Sequence, residues 1–225
     1  MGESVEFASN GNTAGGYLAG AGPGVIVLQE WWGLTPEVKA TCDQLAGAGY
    51  TALAPDLYHG EMASHTEMDK AGELMNALPP DRAGRDMGGA VDFLLENTGG
   101  PKVGVIGYCM GGMLSFILAA QQGDKIGAVV PFYGFPQGDF EPDWSGLTAP
   151  VLGHMAENDD FFPPAAIEAL AEKLRGMGKH VTIHVYPGTG HAFASGHNAL
   201  GTANEEAADL AWSRTLEFLK AKLGS

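Results

Sequence analysis

Apolar runs alternate with segments of helical periodicity from Val25 to the end of the chain. Short runs rich in β-branched residues predict buried strands, whereas apolar residues three and four positions apart predict amphipathic helices. The predicted strands are Val25–Gln29, Tyr50–Ala54, Lys102–Ile106, Ile126–Phe132, Val151–Met155 and Val181–Tyr186. Strands that alternate with helices indicate a mostly parallel sheet with helices on both faces. The pattern therefore predicts one α/β domain over residues 1–225.

The helix signals fit this alternation. Thr35 is a typical N-cap with Pro36 at the first helical position, and Cys42 falls on the apolar face of that helix. We therefore interpret Cys42 as a small core residue. The other predicted helices are Met68–Ala77, one that follows Asp81, Met113–Ala120, Pro163–Met177, and a last one with Ala208, Trp212, Leu216 and Leu219 on one face.

The charge and the cysteine count narrow the class of protein. The 225 residues include 12 Lys and Arg against 27 Asp and Glu, so the formal net charge is −15. Such a field repels phosphate backbones and anionic lipids, which argues against nucleic-acid and membrane partners. Two cysteines are too few for a disulfide scaffold, and no apolar run reaches spanning length. We expect a cytoplasmic protein, either a monomer or a small homo-oligomer.

The run Gly107-Tyr108-Cys109-Met110-Gly111 lies between a predicted strand and an apolar helix. This is the context of a nucleophile elbow, in which glycines permit a sharp turn that presents the central side chain at the carboxyl edge of the sheet. The helix N-terminus favours a thiolate, and the Met110 amide points toward a developing oxyanion. A buried structural cysteine in a Gly-rich turn is the alternative.

Two downstream segments supply partners for Cys109 in the order nucleophile, carboxylate, histidine. Asp159 and Asp160 follow one predicted strand, and His191 follows the next. A carboxylate that orients His191 would let the imidazole withdraw the thiol proton. The spacing leaves open which aspartate does so. We expect structural roles for His154 and His184, while His59, His65, His180 and His197 have no carboxylate at an informative spacing.

From about Val25 to Phe193 the chain resembles the dienelactone hydrolase family, the carboxymethylenebutenolidases. The resemblance rests on Gln29–Gly33, Pro55–Tyr58, Gly107–Gly112, and Asp159 and Pro163 taken together with Gly190–Ala194. It implies an α/β-hydrolase fold without a large cap domain and a triad of Cys109, His191 and Asp159. It also implies that Glu30 holds the resting thiol neutral until substrate binds, and that the Trp31 amide is the second oxyanion donor beside Met110.

Two positions bear on the class of substrate. The resemblance implies two arginines that would hold a substrate carboxylate, yet His59 follows Tyr58, and Ser195 lies four residues past His191. We therefore expect a small, neutral or weakly charged ester or lactone. The aromatic residues near the motifs are candidates for the pocket wall, and they are Trp32, Tyr58, Phe161 and Phe193, with Trp31 and Phe162 beside them.

The predicted function is hydrolysis of a small activated ester or lactone through an acyl-cysteine intermediate on Cys109. Activation is needed because a thiolate leaves a tetrahedral adduct more readily than an ordinary alkoxide. One alternative is thioester hydrolysis or acyl transfer by the same triad. Another is a non-catalytic protein that binds a ligand or senses oxidants through Cys109. We expect no cofactor and no metal, because no HExxH motif or paired ligand spacing occurs.

Overall fold

Eight strands form one sheet with helices on both faces. A computed structural model describes residues 2–9 and 11–224. The strands are β1 Glu3–Ser9, β2 Asn12–Gly20, β3 Gly24–Leu28, β4 Thr51–Pro55, β5 Val103–Tyr108, β6 Ile126–Phe132, β7 Val151–Asn158 and β8 Val181–Gly190. Their spatial order is β1-β2-β4-β3-β5-β6-β7-β8, in which β3 through β8 run parallel, while β1 pairs with β2 and β2 with β4 in antiparallel fashion. The predicted α/β architecture is confirmed; Met1, Asn10 and Ser225 lie outside the described residues.

Among the described residues, five of the six α-helices divide between the two faces of the sheet. The six are α1 Pro36–Gly47, α2 Met68–Ala77, α3 Pro80–Thr98, α4 Met110–Gln122, α5 Pro164–Gly176 and α6 Glu205–Leu223. Helices α3, α4 and α5 enclose one core cluster, which contains Met87, Phe116 and Leu174. Helices α1 and α6 enclose the other, which contains Cys42 and Leu219. Burial of these apolar faces is the main force that holds the helices to the sheet.

Local sequence signals account for α1. Thr35 has extended backbone dihedrals and Pro36 begins the helix, as predicted. Cys42 is fully buried on the face that meets the sheet, and burial raises the pKa of its thiol to about 12. The prediction of Cys42 as a core residue is therefore confirmed.

The amino-terminal hairpin was not predicted from the sequence. Strands β1 and β2 bury few side chains, chiefly Phe7, Ala14 and Ala19, so their apolar signal is weak. Pairing with β4 holds them in the sheet instead. A Cβ atom on Gly16 would come within 2.7 Å of the Ala54 carbonyl oxygen, which explains a glycine at that point of the ladder.

Several predicted boundaries were also wrong. Strands β7 and β8 run on to Asn158 and Gly190, past the predicted ends at Met155 and Tyr186. Helix α3 starts at Pro80 rather than after Asp81. The buried stripe of α6 is Ala207, Ala211, Thr215 and Leu219, while Ala208, Trp212 and Leu216 are half-buried at its flank. A short polar or small residue gives little periodic signal even where it is buried.

Across the described ranges 2–9 and 11–224, no helix is both long and apolar enough to cross a membrane.

Candidate active site

Cys109 occupies a strained turn between β5 and α4. Its backbone has φ 55° and ψ −115°, a conformation that costs a non-glycine residue about 1–3 kcal/mol. Two hydrogen bonds fix it there. The Cys109 N–H donates to the Phe132 carbonyl at 3.0 Å, and the Cys109 carbonyl accepts from the Met113 N–H at 3.2 Å. The predicted sharp turn from strand to helix is therefore present, with Cys109 at the carboxyl edge of the sheet.

Glycines make this turn possible. A Cβ atom on Gly107 would overlap the Gly111 carbonyl, and one on Gly111 would overlap the Leu28 carbonyl at the end of β3. A third glycine, Gly134, was not singled out from the sequence, yet a Cβ atom there would overlap the Cys109 carbonyl. The turn is thus packed backbone to backbone on both sides, which leaves no room for side chains.

Asp159 and His191 form a buried pair at the same edge. The Asp159 Oδ2 atom accepts a hydrogen bond from His191 Nδ1 at 2.8 Å. Its Oδ1 atom accepts from the amides of Phe161 and Phe162, each at 2.9 Å, so the carboxylate cannot rotate freely. Because Nδ1 carries the proton, Nε2 of His191 is the nitrogen able to accept one. Asp160, the other candidate, is exposed to solvent.

The register of the sheet explains this pairing. Asn158 at the end of β7 lies opposite Gly190 at the end of β8. The next residue on each strand is Asp159 and His191, and the parallel strands therefore bring the two side chains together. The extension of β7 and β8 beyond their predicted ends is what carries the strands up to the site.

Three aromatic rings surround the His191 imidazole. Phe162 stacks on it at 5.8 Å between centroids, Phe161 lies at 5.0 Å, and Tyr133 meets it edge-on at 5.2 Å. Tyr133 is fully buried, has φ 35°, and its hydroxyl has no hydrogen-bond partner among the described residues. Burial, followed by the charge of Glu30, raises its pKa, so it is a neutral phenol. No sequence motif marks Tyr133, and its strained backbone is visible only in the structure.

Glu30 lies beside the Cys109 turn. Leu28 pairs with Gly107 in the parallel β3–β5 ladder, and Glu30 and Cys109 each follow two residues later, just past the ends of the two strands. Glu30 is 8% exposed. Burial and then the negative charge of Glu30 raise the pKa of the Cys109 thiol well above its usual value, while a hydrogen bond from the Met110 amide opposes them. The resting thiol is therefore protonated.

His197 is the partner of Glu30, a contact that sequence reasoning missed. The Nε2 atom of His197 lies 2.7 Å from Glu30 Oε2, and both side chains are buried. The ring of His65 stacks on that of His197 at 4.1 Å. Since 167 positions separate Glu30 from His197, no local spacing could have indicated the pair.

The two predicted oxyanion residues are tied together by Tyr58. Met110 is the first residue of α4, and Trp31 directly follows Glu30. The Tyr58 hydroxyl donates to the Trp31 carbonyl at 3.1 Å and lies 3.6 Å from Met110 Sδ. Burial raises the pKa of Tyr58, so the hydroxyl stays protonated and able to donate.

Most of the predicted pocket residues are core residues. Trp32, Tyr58 and Phe193 are 2%, 4% and 1% exposed, because they pack inside the core clusters. Phe161 is 63% exposed and stands beside His191, so it is the one of the four candidates available to a substrate.

A cavity of about 250 Å³ lies between α1, α6 and the segment 194–197. Glu30, Tyr133 and His197 line it, whereas Cys109, Asp159 and His191 lie outside its wall. The cavity therefore approaches the Cys109 turn from the α1–α6 face.

The two positions at which the resemblance implies an arginine hold His59 and Ser195. His59 has φ 54° and its Nε2 atom bonds Asp86 at 2.7 Å. Arg82 donates to the Leu57 carbonyl, and Arg85 pairs with Asp81 on α3. Within the part of the chain that the structure describes, no three His, Cys, Asp or Glu side chains are arranged to hold a metal ion.

Comparison with known proteins places this geometry in context. The model of the dienelactone hydrolase family matches residues 14–223. "Protein usf" of Aquifex pyrophilus is 38% identical, with 99% of this chain and 100% of that protein aligned. The "Putative carboxymethylenebutenolidase" of Aquifex aeolicus (strain VF5) is 34% identical over the same shares. The crystal structure of the "Putative Dienelactone Hydrolase from Klebsiella pneumoniae subsp. pneumoniae MGH 78578" superposes with a TM-score of 0.81 at 27% identity, covering 97% of this chain and 98% of that one.

Proposed function

The chain belongs to the dienelactone hydrolase family, a family of α/β hydrolases, and on that premise we propose that it hydrolyses a small activated ester or lactone through an acyl-cysteine intermediate on Cys109. The observation that carries the proposal is the strained Cys109 turn at the sheet edge that also holds the buried Asp159–His191 pair.

The first half of the reaction forms the acyl-enzyme. His191 Nε2 accepts the thiol proton, and the Cys109 sulfur attacks the carbonyl carbon of the substrate. The amides of Met110 and Trp31 would stabilise the oxyanion, as backbone donors do in acyl transfer. Collapse breaks the bond to the leaving group, which takes the proton from His191.

The second half releases the acid. Water gives a proton to His191 Nε2 and attacks the thioester carbonyl, and the Cys109 sulfur leaves and recovers the proton. Because Asp159 is fixed by the amides of Phe161 and Phe162, His191 keeps its Nδ1–H on Asp159 and the same orientation through both halves.

The substrate class follows from the leaving group and from the local charges. Thiolate departs from a tetrahedral adduct more readily than a simple alkoxide, so forward reaction requires an enolate, a phenolate or another thiolate. The exposed aromatic ring of Phe161 beside His191 favours an apolar or aromatic substrate. The two positions at which an arginine could bind a substrate carboxylate hold Ser195 and His59 instead, and His59 pairs with Asp86. A neutral ester or enol lactone fits these features.

One test distinguishes the proposed function from two alternative functions. Thioester hydrolysis would use the same groups and differ only in the leaving thiolate. Oxidant sensing through Cys109 is disfavoured by the structure, since sensor cysteines are thiolates at neutral pH, while burial and Glu30 raise the pKa of this thiol.

The test is steady-state turnover of p-nitrophenyl acetate, an enol lactone and an acyl thioester by the wild type, Cys109→Ala and Cys109→Ser. We expect Cys109→Ala to abolish turnover of the preferred substrate. Wild-type turnover by both variants would exclude Cys109 as the nucleophile. If the wild type turns over none of the three substrates while Cys109 oxidises selectively, oxidant sensing replaces hydrolysis as the proposed function.

A further inference from the structure

The hydrogen bonds of His197 show which of its two ring nitrogens carries the proton. The Nδ1 atom of His197 accepts a hydrogen bond from the Ala199 backbone N–H at 3.0 Å. A backbone amide can only donate, so Nδ1 carries no proton. The proton is on Nε2, which donates to Glu30 Oε2 at 2.7 Å. His197 is therefore a neutral imidazole that donates one hydrogen bond to the Glu30 carboxylate, and the negative charge of Glu30 is held in place without being neutralised.

The surroundings of His197 fix its ring. His65 stacks on it with an interplanar angle of 21°, and Trp32 meets both imidazoles edge-on. Burial lowers the pKa of His65, so the stacked ring is neutral at neutral pH. The side chain of His197 is 3% exposed. A ring packed in this way presents its Nε2–H at one position, which a flexible donor would not do.

The position of the Glu30 carboxylate affects the ionisation of the Cys109 thiol beside it. The β3–β5 register places Glu30 beside Cys109, and a carboxylate at that place opposes formation of the thiolate. A buried carboxylate that loses its hydrogen-bond donor is costly to keep in place, so it turns toward water. The cavity between α1 and α6 gives it room to do so, because Glu30 and His197 both line that cavity.

We propose that His197 is a positioning residue, which holds the Glu30 carboxylate beside Cys109 through its Nε2–H and thereby keeps the resting thiol unreactive. The inference rests on the proposed function, in which Cys109 is the nucleophile and Glu30 controls its state. His197 acts through Glu30 alone, without contact to the sulfur or to the substrate.

The test measures the rate at which iodoacetamide alkylates Cys109 at neutral pH, with Cys42→Ala as the background so that one thiol is counted. His197→Phe removes the donor but keeps a ring for the stack. His197→Gln is the matched variant, because the amide nitrogen of Gln can donate from nearly the same position. His65→Phe is the control, since it preserves a stacked ring and leaves the Glu30 hydrogen bond intact.

We expect His197→Phe to accelerate alkylation, because a one-unit fall in the pKa of the thiol raises the thiolate fraction about tenfold. Glu30→Gln should accelerate it in the same direction, and His197→Phe should add nothing in that background. His197→Gln and His65→Phe should react near the wild-type rate.

Two results would overturn the proposal. One is an unchanged rate in His197→Phe, and the other is an equal acceleration by His197→Phe in the presence and absence of Glu30→Gln. If His197→Phe fails to fold, Gln and Asn at the same position replace it, since the shorter Asn amide does not reach Glu30 and should accelerate alkylation while Gln does not. Alkylation reports the thiol whether or not the protein turns over an ester. Failure of the proposed function therefore shows in the turnover of Cys109→Ala, separately from this result.

Discussion

His154 is the buried group that most sharply links structure to stability. It is fully buried on β7, where its Nε2–H donates to Thr215 Oγ1 at 3.1 Å and its Nδ1 lies 2.9 Å from the Tyr186 hydroxyl. Thr215 uses its own proton on the Ala211 carbonyl, so it accepts from His154. Arg214 donates to the Tyr186 hydroxyl, which leaves that hydroxyl proton for Nδ1. The neutral ring is thus fully hydrogen-bonded.

Protonation of His154 would disrupt this network. Burial, and then the charges of His184 and Arg214, lowers its pKa from 6.5 to about 3. Because the folded value lies below the unfolded one, the stability contributed by His154 is complete above about pH 6.5 and is lost as the pH falls toward 3. At about 1.4 kcal/mol per pH unit, the loss between pH 7 and pH 4.5 is about 2.5 kcal/mol.

The assay is urea unfolding at pH 7, 6, 5 and 4.5 of the wild type and His154→Gln, with the exposed His180→Gln as the matched control. Carboxylates titrate alike in all three proteins, so the differences between their curves isolate the histidine. We expect His154→Gln to be less stable than the wild type at pH 7 and to approach or pass it by pH 4.5. His180→Gln should follow the wild type throughout. Parallel curves for the wild type and His154→Gln would refute the assignment of a neutral buried His154.

Three further predictions concern the candidate site. Asp159→Asn should lower kcat for p-nitrophenyl acetate by about 10⁴-fold, because His191 loses the carboxylate that fixes its tautomer. Asp160→Asn should leave kcat unchanged. Equal effects of the two substitutions would contradict the pairing of Asp159 with His191. Gly134→Ala should lower kcat/KM by about 100-fold, because its Cβ atom displaces the Cys109 backbone, and Gly47→Ala, which has open space, is the control whose activity should not change. Tyr58→Phe should lower the free energy of unfolding in urea by about 1 kcal/mol through loss of the hydrogen bond to the Trp31 carbonyl, and no change would mean that the hydroxyl is satisfied elsewhere.

The sequence predicted the parts of the fold that leave a periodic or local signal. Thr35 and Pro36 marked a helix start, and the apolar run Ile126–Phe132 matched a strand to the residue. The hairpin of β1 and β2 left no such signal, because it is held by backbone pairing and buries few apolar side chains. Strand ends near the site were also missed, since Asn158 and Gly190 are residues that usually mark turns.

In the candidate site, too, some residues are indicated by a local sequence motif and others are revealed only by the structure. Cys109 and its neighbouring glycines form a contiguous motif, and the order of Asp159 and His191 along the chain is informative without a structure. The contact between Glu30 and His197 joins residues far apart in the chain, so only the packing of the sheet and loops reveals it. Trp32 and Phe193, predicted as pocket residues, are buried among core residues, because an aromatic side chain near a motif packs equally well in a core.

The central claim is that Cys109 carries the acyl group during turnover. Mixing the wild type with excess p-nitrophenyl acetate, quenching in acid within the first turnovers and measuring the intact mass tests it directly. We predict a mass increase of one acetyl group, which peptide mapping locates on Cys109 and which is absent from Cys109→Ala. Turnover of the ester with no adduct in the wild type and the same rate in Cys109→Ala, or an adduct on another residue that persists in Cys109→Ala, would contradict it.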